Sequence, residues 1–245
     1  MRTGERLDRA LVSRGLVSSR HQARQMILAG AVCVNGQVVQ RPSYPTPPDA
    51  QLSLRAPMPY VGRGGLKLEA ALQAFGLDVH GLVALDVGAS TGGFTDCLLQ
   101  RGAARVYAVD VGHGQLHPKL RSDARVVLFE GVDIRAVDQL PERPGLAVVD
   151  VSFISLRLVL PAVARLVSPG QVLALFKPQF EVGRSGLGSG GIVRRPQLRE
   201  AARREFEAWL AGQGWSILGA MQSPVPGMDG NVEYFYWLQP PEPRP

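Results

Sequence analysis

The feature that most constrains this chain is a series of five Val- and Leu-rich runs that alternate with helical stretches. The runs read LVALDVG, RVYAVDVG, RVVLFEGVDI, GLAVVDVSFI and QVLALFKPQF. They are too continuously apolar for strands that have one solvent-exposed face. They favour parallel strands that are covered by helices on both sides. After a predicted helix at 197–212, WSILGAMQSP and NVEYFYWLQ predict two more strands. The sequence therefore predicts an α/β protein with a mostly parallel, Rossmann-like sheet.

A smaller basic module, residues 1–55, precedes this body. Helical spacing over 6–14 and in SRHQARQMIL predicts two short helices, and AVCVNGQVV predicts a hairpin that turns at Asn35-Gly36. The module holds eight arginines against three acidic residues, so it contributes most of the net charge of +6. A cationic end favours a polyanionic partner such as nucleic acid, with a solvated arginine-rich surface as the alternative.

The order of these elements resembles the S4-like RNA-binding domain, a small α+β module. The matching string is RLDRALVSRGLVSSRHQARQMILAGAVCVNGQVV. The resemblance implies that RNA lies against the face that carries the two helices. It places four side chains at RNA phosphates: Arg6, Arg20, His21 and Arg24. A short proline-stiffened linker at 56–60 (APMPY) then separates the module from the body at 61–245.

Composition excludes several other classes of protein. With 45% hydrophobic and 20% charged residues, the chain can bury a sizeable core. No run approaches the ~18 apolar residues of a membrane span, and the charged start has no signal-peptide core. Cys33 and Cys97 make neither a disulfide framework nor a metal cluster. We expect a cytoplasmic protein without a metal centre. No motif indicates an oligomeric state, so a monomer is favoured.

A glycine-rich turn in ALDVGASTGGFT predicts a ligand site. The first strand of the body is predicted to end at Asp86, and Gly88 and Gly92 follow before a helix that begins near Phe94. Glycines let the backbone approach a ligand closely, and ligands of open α/β sheets bind beyond the carboxyl ends of the strands. The turn alone does not select the cofactor, because nicotinamide, flavin and S-adenosylmethionine sites all use one.

Acidic residues at the ends of the next strands narrow the choice of cofactor. Asp110 ends the second strand, where a carboxylate suits both hydroxyls of a ribose. Asp133 lies near the end of the third strand and is placed to accept a hydrogen bond from an adenine amino group. These acids suit S-adenosylmethionine, a free nucleoside with a cationic sulfonium, better than NAD with its pyrophosphate. The alternatives are that Asp86 only caps the turn and that Asp133 is solvated.

The chain has only three lysines, and two of them lie where catalysis is expected. A buried lysine can release its proton and act as a base, which arginine effectively cannot. Lys177 ends the fifth strand and Lys67 opens a helix, whereas Lys119 lies in a polar loop and is interpreted as ordinary surface. Asp150 ends the fourth strand and Glu233 begins the last. We expect both acids and the first two lysines to meet at one edge of the sheet, as a catalytic cluster or a structural ion-pair network.

This constellation resembles the FtsJ-like RNA ribose 2′-O-methyltransferases, and with the S4-like module in front the whole chain resembles the TlyA family, often labelled hemolysins. The matching strings are YVGRGGLKL, DVGASTGGFTD, DVGHGQL, DVSFISL, KPQFEVG and GNVEYF. The resemblance implies the class I methyltransferase fold, a seven-stranded sheet with an antiparallel last strand. It also implies S-adenosylmethionine as cofactor and ribosomal RNA or ribosomal subunits as partner, with cytidines of 16S and 23S rRNA as targets.

The same resemblance implies a role for each predicted site residue. Lys177 would be the general base for a ribose 2′-hydroxyl, and Lys67, Asp150 and Glu233 would orient it, tune its pKa and position the substrate. The residues expected at the cofactor are Asp86, Gly88, Gly92, Phe94, Asp110, Asp133 and Asp150.

Two other function classes remain as alternatives. The hemolysin label suggests a membrane-lytic toxin, but the sequence offers no amphipathic cationic stripe of useful length. A non-catalytic RNA-binding or ribosome-assembly factor would keep the fold without needing both lysines. The glycine-rich segment 183–191 is compatible with a loop that orders over RNA and with a plain surface connection.

Overall fold

A computed structural model of the chain describes residues 4–28, 30–55, 59–183, 187–227 and 230–242. The chain divides into two compact units, Met1–Pro59 and Tyr60–Pro245. The division falls within the segment interpreted as a linker, of which residues 56–58 lie outside the described ranges. Residues 184–186 of the glycine-rich segment also lie outside them.

Two helices and two small sheets form the described part of the first unit. The helices are α1 (Leu7–Ser13) and α2 (Arg20–Leu28). The strands are β1 (Glu5–Arg6), β2 (Val32–Val34), β3 (Gln37–Val38), β4 (Pro45–Thr46) and β5 (Leu52–Leu54). β2 pairs antiparallel with β3 and β5, and β1 pairs with β4. The hairpin turn at Asn35-Gly36 has the positive φ values, 51° and 79°, that a tight hairpin requires.

The core of the first unit lies between its helices and the hairpin. Leu7 and Leu11 are four residues apart on α1, as are Ala23 and Ile27 on α2, so each pair lies on one helix face. All four side chains are fully buried, with Val32 of the hairpin beneath them. This packing leaves the charged faces of both helices to solvent. The β1–β4 pair was not predicted, because two-residue strands in a proline-rich segment show no alternating pattern.

The described residues of the second unit form one seven-stranded sheet with five helices. The strands are β6 (Val83–Val87), β7 (Arg105–Asp110), β8 (Val126–Glu130), β9 (Leu146–Val149), β10 (Gln171–Phe176), β11 (Ser216–Gln222) and β12 (Tyr234–Gln239). The helices are α3 (Arg63–Phe75), α4 (Gly93–Gln100), α5 (Pro118–Arg121), α6 (Leu156–Val167) and α7 (Pro196–Gly212). The strand order is β11-β12-β10-β9-β6-β7-β8, and β12 is antiparallel to both neighbours. The predicted fold class is confirmed.

Both faces of the central strands are buried, which explains the continuous apolar runs. On β10, Val172, Ala174 and Phe176 belong to the core that includes α6 and α7. Leu173 and Leu175 belong to the opposite core, with α3 and α4. Because successive side chains of a strand point to opposite faces, an apolar residue is needed at every position.

Five predicted strand ends differ from the observed ones. β9 ends at Val149 and β10 at Phe176, each one residue before the predicted ends at Asp150 and Lys177. β6 continues through Val87, so Asp86 lies inside the strand rather than at its end. β8 ends at Glu130, because Gly131 turns the chain with a φ of 68° and Asp133 then caps a short 3₁₀ helix. β12 begins one residue after Glu233.

Candidate active site

The glycine-rich turn lies where the strand order reverses, between β6 and β9. Val87 pairs with Val149, so the residues that follow them, Gly88 and Asp150, emerge side by side. Gly88 has a φ of 85°, and a Cβ there would lie 2.5 Å from the carbonyl oxygen of Asp150. Only glycine therefore allows this close passage. Gly92 has a different role, since a Cβ there would lie 2.2 Å from Leu120 of α5 rather than in a cavity.

Two adjoining cavities open beside this turn. The larger has a volume of about 910 Å³ and the smaller about 340 Å³. Six predicted site residues line the larger one: Lys67, Gly88, Phe94, Asp150, Lys177 and Glu233. Four line the smaller one: Gly88, Asp110, Asp133 and Asp150. Gly88 and Asp150 belong to both cavities, so a molecule in the smaller cavity would meet a molecule in the larger one at these residues.

The four charged residues predicted to converge form two short ion pairs in the larger cavity. Lys67 Nζ lies 2.6 Å from Glu233 Oε2, and both side chains are buried. Lys177 Nζ lies 2.6 Å from Asp150 Oδ1 and donates a hydrogen bond of 2.9 Å to Ser152 Oγ. Buried charges in proteins are paired in this way, because an isolated ion would lose its hydration without compensation.

Strand register explains why these residues meet. Asp150 and Lys177 follow the neighbouring parallel strands β9 and β10, so they leave the sheet at the same edge. Glu233 directly precedes β12, whose Tyr234 pairs with Phe176, the residue before Lys177. Lys67 reaches the same edge from the second turn of α3, which packs on α4 behind the glycine turn.

Two further side chains near Lys177 were not predicted. Gln179 Nε2 donates to Glu233 Oε1 at 3.5 Å, and its Oε1 is buried without a partner among the described residues. Glu181 accepts hydrogen bonds from Ser155 Oγ and the Leu156 amide, at 2.7 and 2.8 Å, and burial raises its pKa. It therefore ties the segment after Lys177 to the start of α6. Both residues stand in the string KPQFEVG, but spacing along a chain does not show which side chains meet across strands.

Asp86 lies beneath the glycine turn and lines neither cavity. Its side chain is fully buried, and Thr95 Oγ1 donates a hydrogen bond of 2.6 Å to Asp86 Oδ2. The pKa of Asp86 is raised to about 7, mainly by burial and in smaller part by the nearby carboxylates of Asp150 and Asp110. The structure thus places Asp86 as a support of the turn.

The smaller cavity has the composition of a nucleoside slot. Asp110 accepts hydrogen bonds of 2.7 Å from the amides of Ser90 and Gly112, which fixes both of its oxygens at the mouth of the slot. Asp133 pairs with Arg135 at 2.6 Å, and this guanidinium lowers the pKa of Asp133. Between the two acids the wall is apolar, formed by Val111, Val132 and Ile134. An apolar slot with carboxylates at its rim fits the adenine and ribose of S-adenosylmethionine.

In the first unit, the predicted RNA contacts fall into two groups. Arg6 and Arg20 both pair with the buried carboxylate of Asp8, at 2.9 and 3.1 Å. The Arg6 hydrogen bond is the main cause that lowers the pKa of Asp8 to about 2, so Asp8 stays ionised. His21 and Arg24 are exposed on α2. Asp8 was not predicted, because a carboxylate inside an arginine-rich module gives no separate signal.

Comparison with known proteins defines the class of this chain. The model described as FtsJ-like methyltransferase matches residues 60–240, and the S4 domain model matches residues 5–52. The second unit is therefore a methyltransferase domain, and an S4 domain precedes it. In the described part of the chain, no helix combines the length and apolarity that crossing a membrane requires.

Individual relatives narrow the class further. The 16S/23S rRNA (cytidine-2′-O)-methyltransferase TlyA of Mycobacterium tuberculosis is 45% identical, over 96% of this chain and 89% of the relative. Hemolysin A of Brachyspira hyodysenteriae is 40% identical, over 94% and 97%. The solved structure of a candidate hemolysin from Streptococcus thermophilus has a TM-score of 0.75 at 42% identity, covering 99% of this chain and 91% of that one. The chain belongs to the TlyA family, and the predicted resemblance is confirmed.

Proposed function

We propose that this protein transfers a methyl group from S-adenosylmethionine to a ribose 2′-hydroxyl of ribosomal RNA, at cytidines of 16S rRNA, 23S rRNA or both. The observation that carries this proposal is the pair of lysine–carboxylate contacts in a cavity that adjoins a nucleoside-shaped slot. The name of the Mycobacterium tuberculosis relative supports the substrate and the position. The protein then acts on ribosomal subunits in the cytoplasm.

In this proposal the slot binds S-adenosylmethionine. Asp110 holds the ribose hydroxyls, Asp133 the adenine amino group, and Gly88 lets the backbone lie against the bound molecule. When bound, S-adenosylmethionine supplies a methyl group that its positive sulfonium already makes electrophilic. The protein therefore has to place the acceptor oxygen, remove its proton and exclude competing nucleophiles.

Lys177 is the general base in this proposal. The Nζ of Lys177 first releases its own proton to solvent. As a neutral amine it then accepts the proton of the 2′-hydroxyl as the oxygen attacks, while Asp150 and Ser152 fix its direction at 2.6 and 2.9 Å. The Lys67–Glu233 pair holds the opposite side of the cavity and positions the ribose. Because both pairs are already formed, little reorganisation is needed when the RNA arrives.

The first unit supplies RNA affinity. Arg6, Arg20, His21 and Arg24 contact phosphates in this proposal, which gives binding that weakens with salt. Asp8 orients two of the arginines without cancelling their charge, since two guanidinium groups share one carboxylate.

The decisive experiment is transfer of labelled methyl groups to purified small and large ribosomal subunits, with wild type beside Lys177→Ala. We expect incorporation at a ribose 2′-oxygen and a loss of at least 100-fold in the variant, the typical contribution of a general base. Lys119→Ala is the matched control, because that lysine side chain is 61% exposed and pairs only with Asp96 among the described residues. It should retain wild-type turnover.

The same experiment separates the alternatives. Unchanged affinity for S-adenosylmethionine and for subunits in the inactive Lys177→Ala protein supports an enzyme rather than a binding factor. No incorporation by wild type on either subunit would contradict the ribosomal assignment. Turnover by Lys177→Ala at the rate of Lys119→Ala would contradict the role of Lys177 as base.

A further inference from the structure

The larger cavity contains a fifth charged side chain, and its charge has no partner. Among the described residues that line the cavity, the two lysines are each neutralised by one carboxylate. Arg63 also lines it, is exposed, and makes no hydrogen bond or ion pair with the described residues. The charge of this cavity is therefore positive by one guanidinium.

The backbone at Arg63 is closely packed, although its guanidinium has no partner among the described residues. It is the first residue of α3, one helical turn before Lys67, so both side chains project along one side of the helix. The glycines on either side of it hold α3 tightly against the cofactor turn. A Cβ at Gly62 would lie 3.0 Å from Thr91 Oγ1, and a Cβ at Gly64 would lie 3.2 Å from the Phe94 ring.

Two anions could meet this guanidinium: a phosphate of the RNA, or the carboxylate of the methyl donor. Arg63 lines only the larger cavity and is absent from the wall of the nucleoside slot. It is exposed to solvent, from which a polynucleotide approaches. A planar guanidinium also matches the oxygens of a phosphate, to which it can donate two hydrogen bonds.

We propose that Arg63 binds a backbone phosphate next to the target nucleotide, and that this contact sets the distance between the ribose 2′-oxygen and Lys177. Arg63 is thus a substrate-positioning residue of the methyltransferase unit, distinct from the arginines of the S4 domain. The inference rests on the proposed function, because it requires that the substrate is RNA. It explains why a cavity with two balanced ion pairs keeps one unbalanced cation.

The test compares Arg63→Gln and Arg63→Lys with wild type. Binding of ribosomal subunits is measured over a series of salt concentrations, and methylation is measured for KM and kcat. We expect Arg63→Gln to weaken subunit binding about ten-fold, as for loss of one charge-assisted contact, and to lower the slope of log affinity against log salt by about 0.7 to 0.9. Arg63→Lys should keep the salt slope, because the charge remains. It should raise KM by a smaller factor than Arg63→Gln does.

Arg143→Gln is the matched control. Arg143 is exposed and donates to the carbonyl oxygen of Ser168 at 2.8 Å. It precedes the amino end of β9, so it lies at the edge of the sheet opposite the cavities. This variant loses the same charge from the same unit and should keep the wild-type affinity and turnover.

Affinity for S-adenosylmethionine, measured without RNA, distinguishes the two anions. An unchanged dissociation constant in Arg63→Gln supports the phosphate contact. A large rise in that constant with an unchanged salt slope would overturn the inference and assign Arg63 to the carboxylate of the donor. Identical salt slopes for Arg63→Gln and Arg143→Gln would overturn it as well. If wild type methylates no RNA, the proposed function fails, whereas the salt series still tests Arg63.

Discussion

Asp86 should make the stability of the second unit fall as pH rises, and Asp86→Asn should remove this dependence. The carboxyl is fully buried under the glycine turn, and burial raises its pKa from 3.8 to about 7. Between these two values the unfolded chain has released the proton while the folded chain keeps it. Rising pH therefore favours unfolding through this window, and the destabilisation is complete above about pH 7.

The pKa values give the size of the effect. A shift of about 3 units at about 1.4 kcal/mol per unit corresponds to about 4 kcal/mol of unfolding free energy. Asparagine at position 86 still accepts the hydrogen bond from Thr95, but its amide nitrogen replaces Oδ1, which has no hydrogen-bond partner among the described residues. An unpaired buried donor costs roughly 1–3 kcal/mol at every pH. The informative quantity is therefore the difference in unfolding free energy between Asp86→Asn and wild type, and how much this difference changes from pH 4 to pH 8.

Urea unfolding followed by tryptophan fluorescence measures this quantity in the second unit, because all three tryptophans, Trp209, Trp215 and Trp237, lie there. Relative to wild type, the unfolding free energy of Asp86→Asn should rise by about 4 kcal/mol from pH 4 to pH 8. Asp138→Asn is the control, since the Asp138 side chain is 96% exposed. Parallel stability curves for Asp86→Asn and wild type would refute the reasoning, because they would show that Asp86 titrates alike in the folded and unfolded chain.

The other expected outcomes concern the two binding functions. Asp8→Asn should weaken binding to ribosomal subunits several-fold in a filter-binding assay although it adds net positive charge, because Arg6 and Arg20 lose the carboxylate that orients them. Tighter binding would show that charge alone matters. Gly88→Ala should raise the dissociation constant for S-adenosylmethionine at least ten-fold in calorimetry, because its Cβ would collide with the Asp150 carbonyl. Gly76→Ala has a similar positive φ with no atom within 4 Å, and it should leave that constant unchanged.

The sheet could be predicted from the sequence because each buried strand needs apolar residues at every position. The ends of the strands could not be predicted as well, because they depend on local turns. At the end of β8, the positive φ of Gly131 stops the strand before Asp133, although the apolar residue Val132 continues the pattern. At Glu233, the strand starts later because pairing with β10 begins at Tyr234.

The convergence of the two lysines and two acids could also be predicted, since three of these residues flank strands that share an edge. The sequence could not show which lysine pairs with which acid. Lys67 meets Glu233 across 166 positions of the chain, and this contact depends on how α3 packs and on the register of β12. Arg63 was overlooked because the sequence contains 24 arginines, and only the structure shows which of them faces the cavity without a partner.

Asp86 shows how strand geometry overrides a motif. The residue was predicted at the cofactor because it precedes the glycine turn. Since β6 extends through Val87, the alternation of side chains directs Asp86 to the same face as Ala84, towards α4 and Thr95. The same alternation directs Val87 to the opposite core. Asp150, which follows the neighbouring strand β9, reaches both cavities instead.

The charges around the turn differ between the two cavities, as the two proposed substrates of opposite sign require. Beneath the slot, repulsion from Asp150 and Asp110 disfavours the ionised form of Asp86, which is one cause of its raised pKa. A cationic donor in the slot would relieve that repulsion and should therefore bind more tightly above pH 7, where Asp86 is ionised. On the other side, the unpaired Arg63 gives the larger cavity the opposite sign, which suits a polyanionic acceptor. The two cavities share Asp150 and Ser152, both within 3 Å of Lys177 Nζ, so the proposed methyl transfer takes place at the boundary between the two charges.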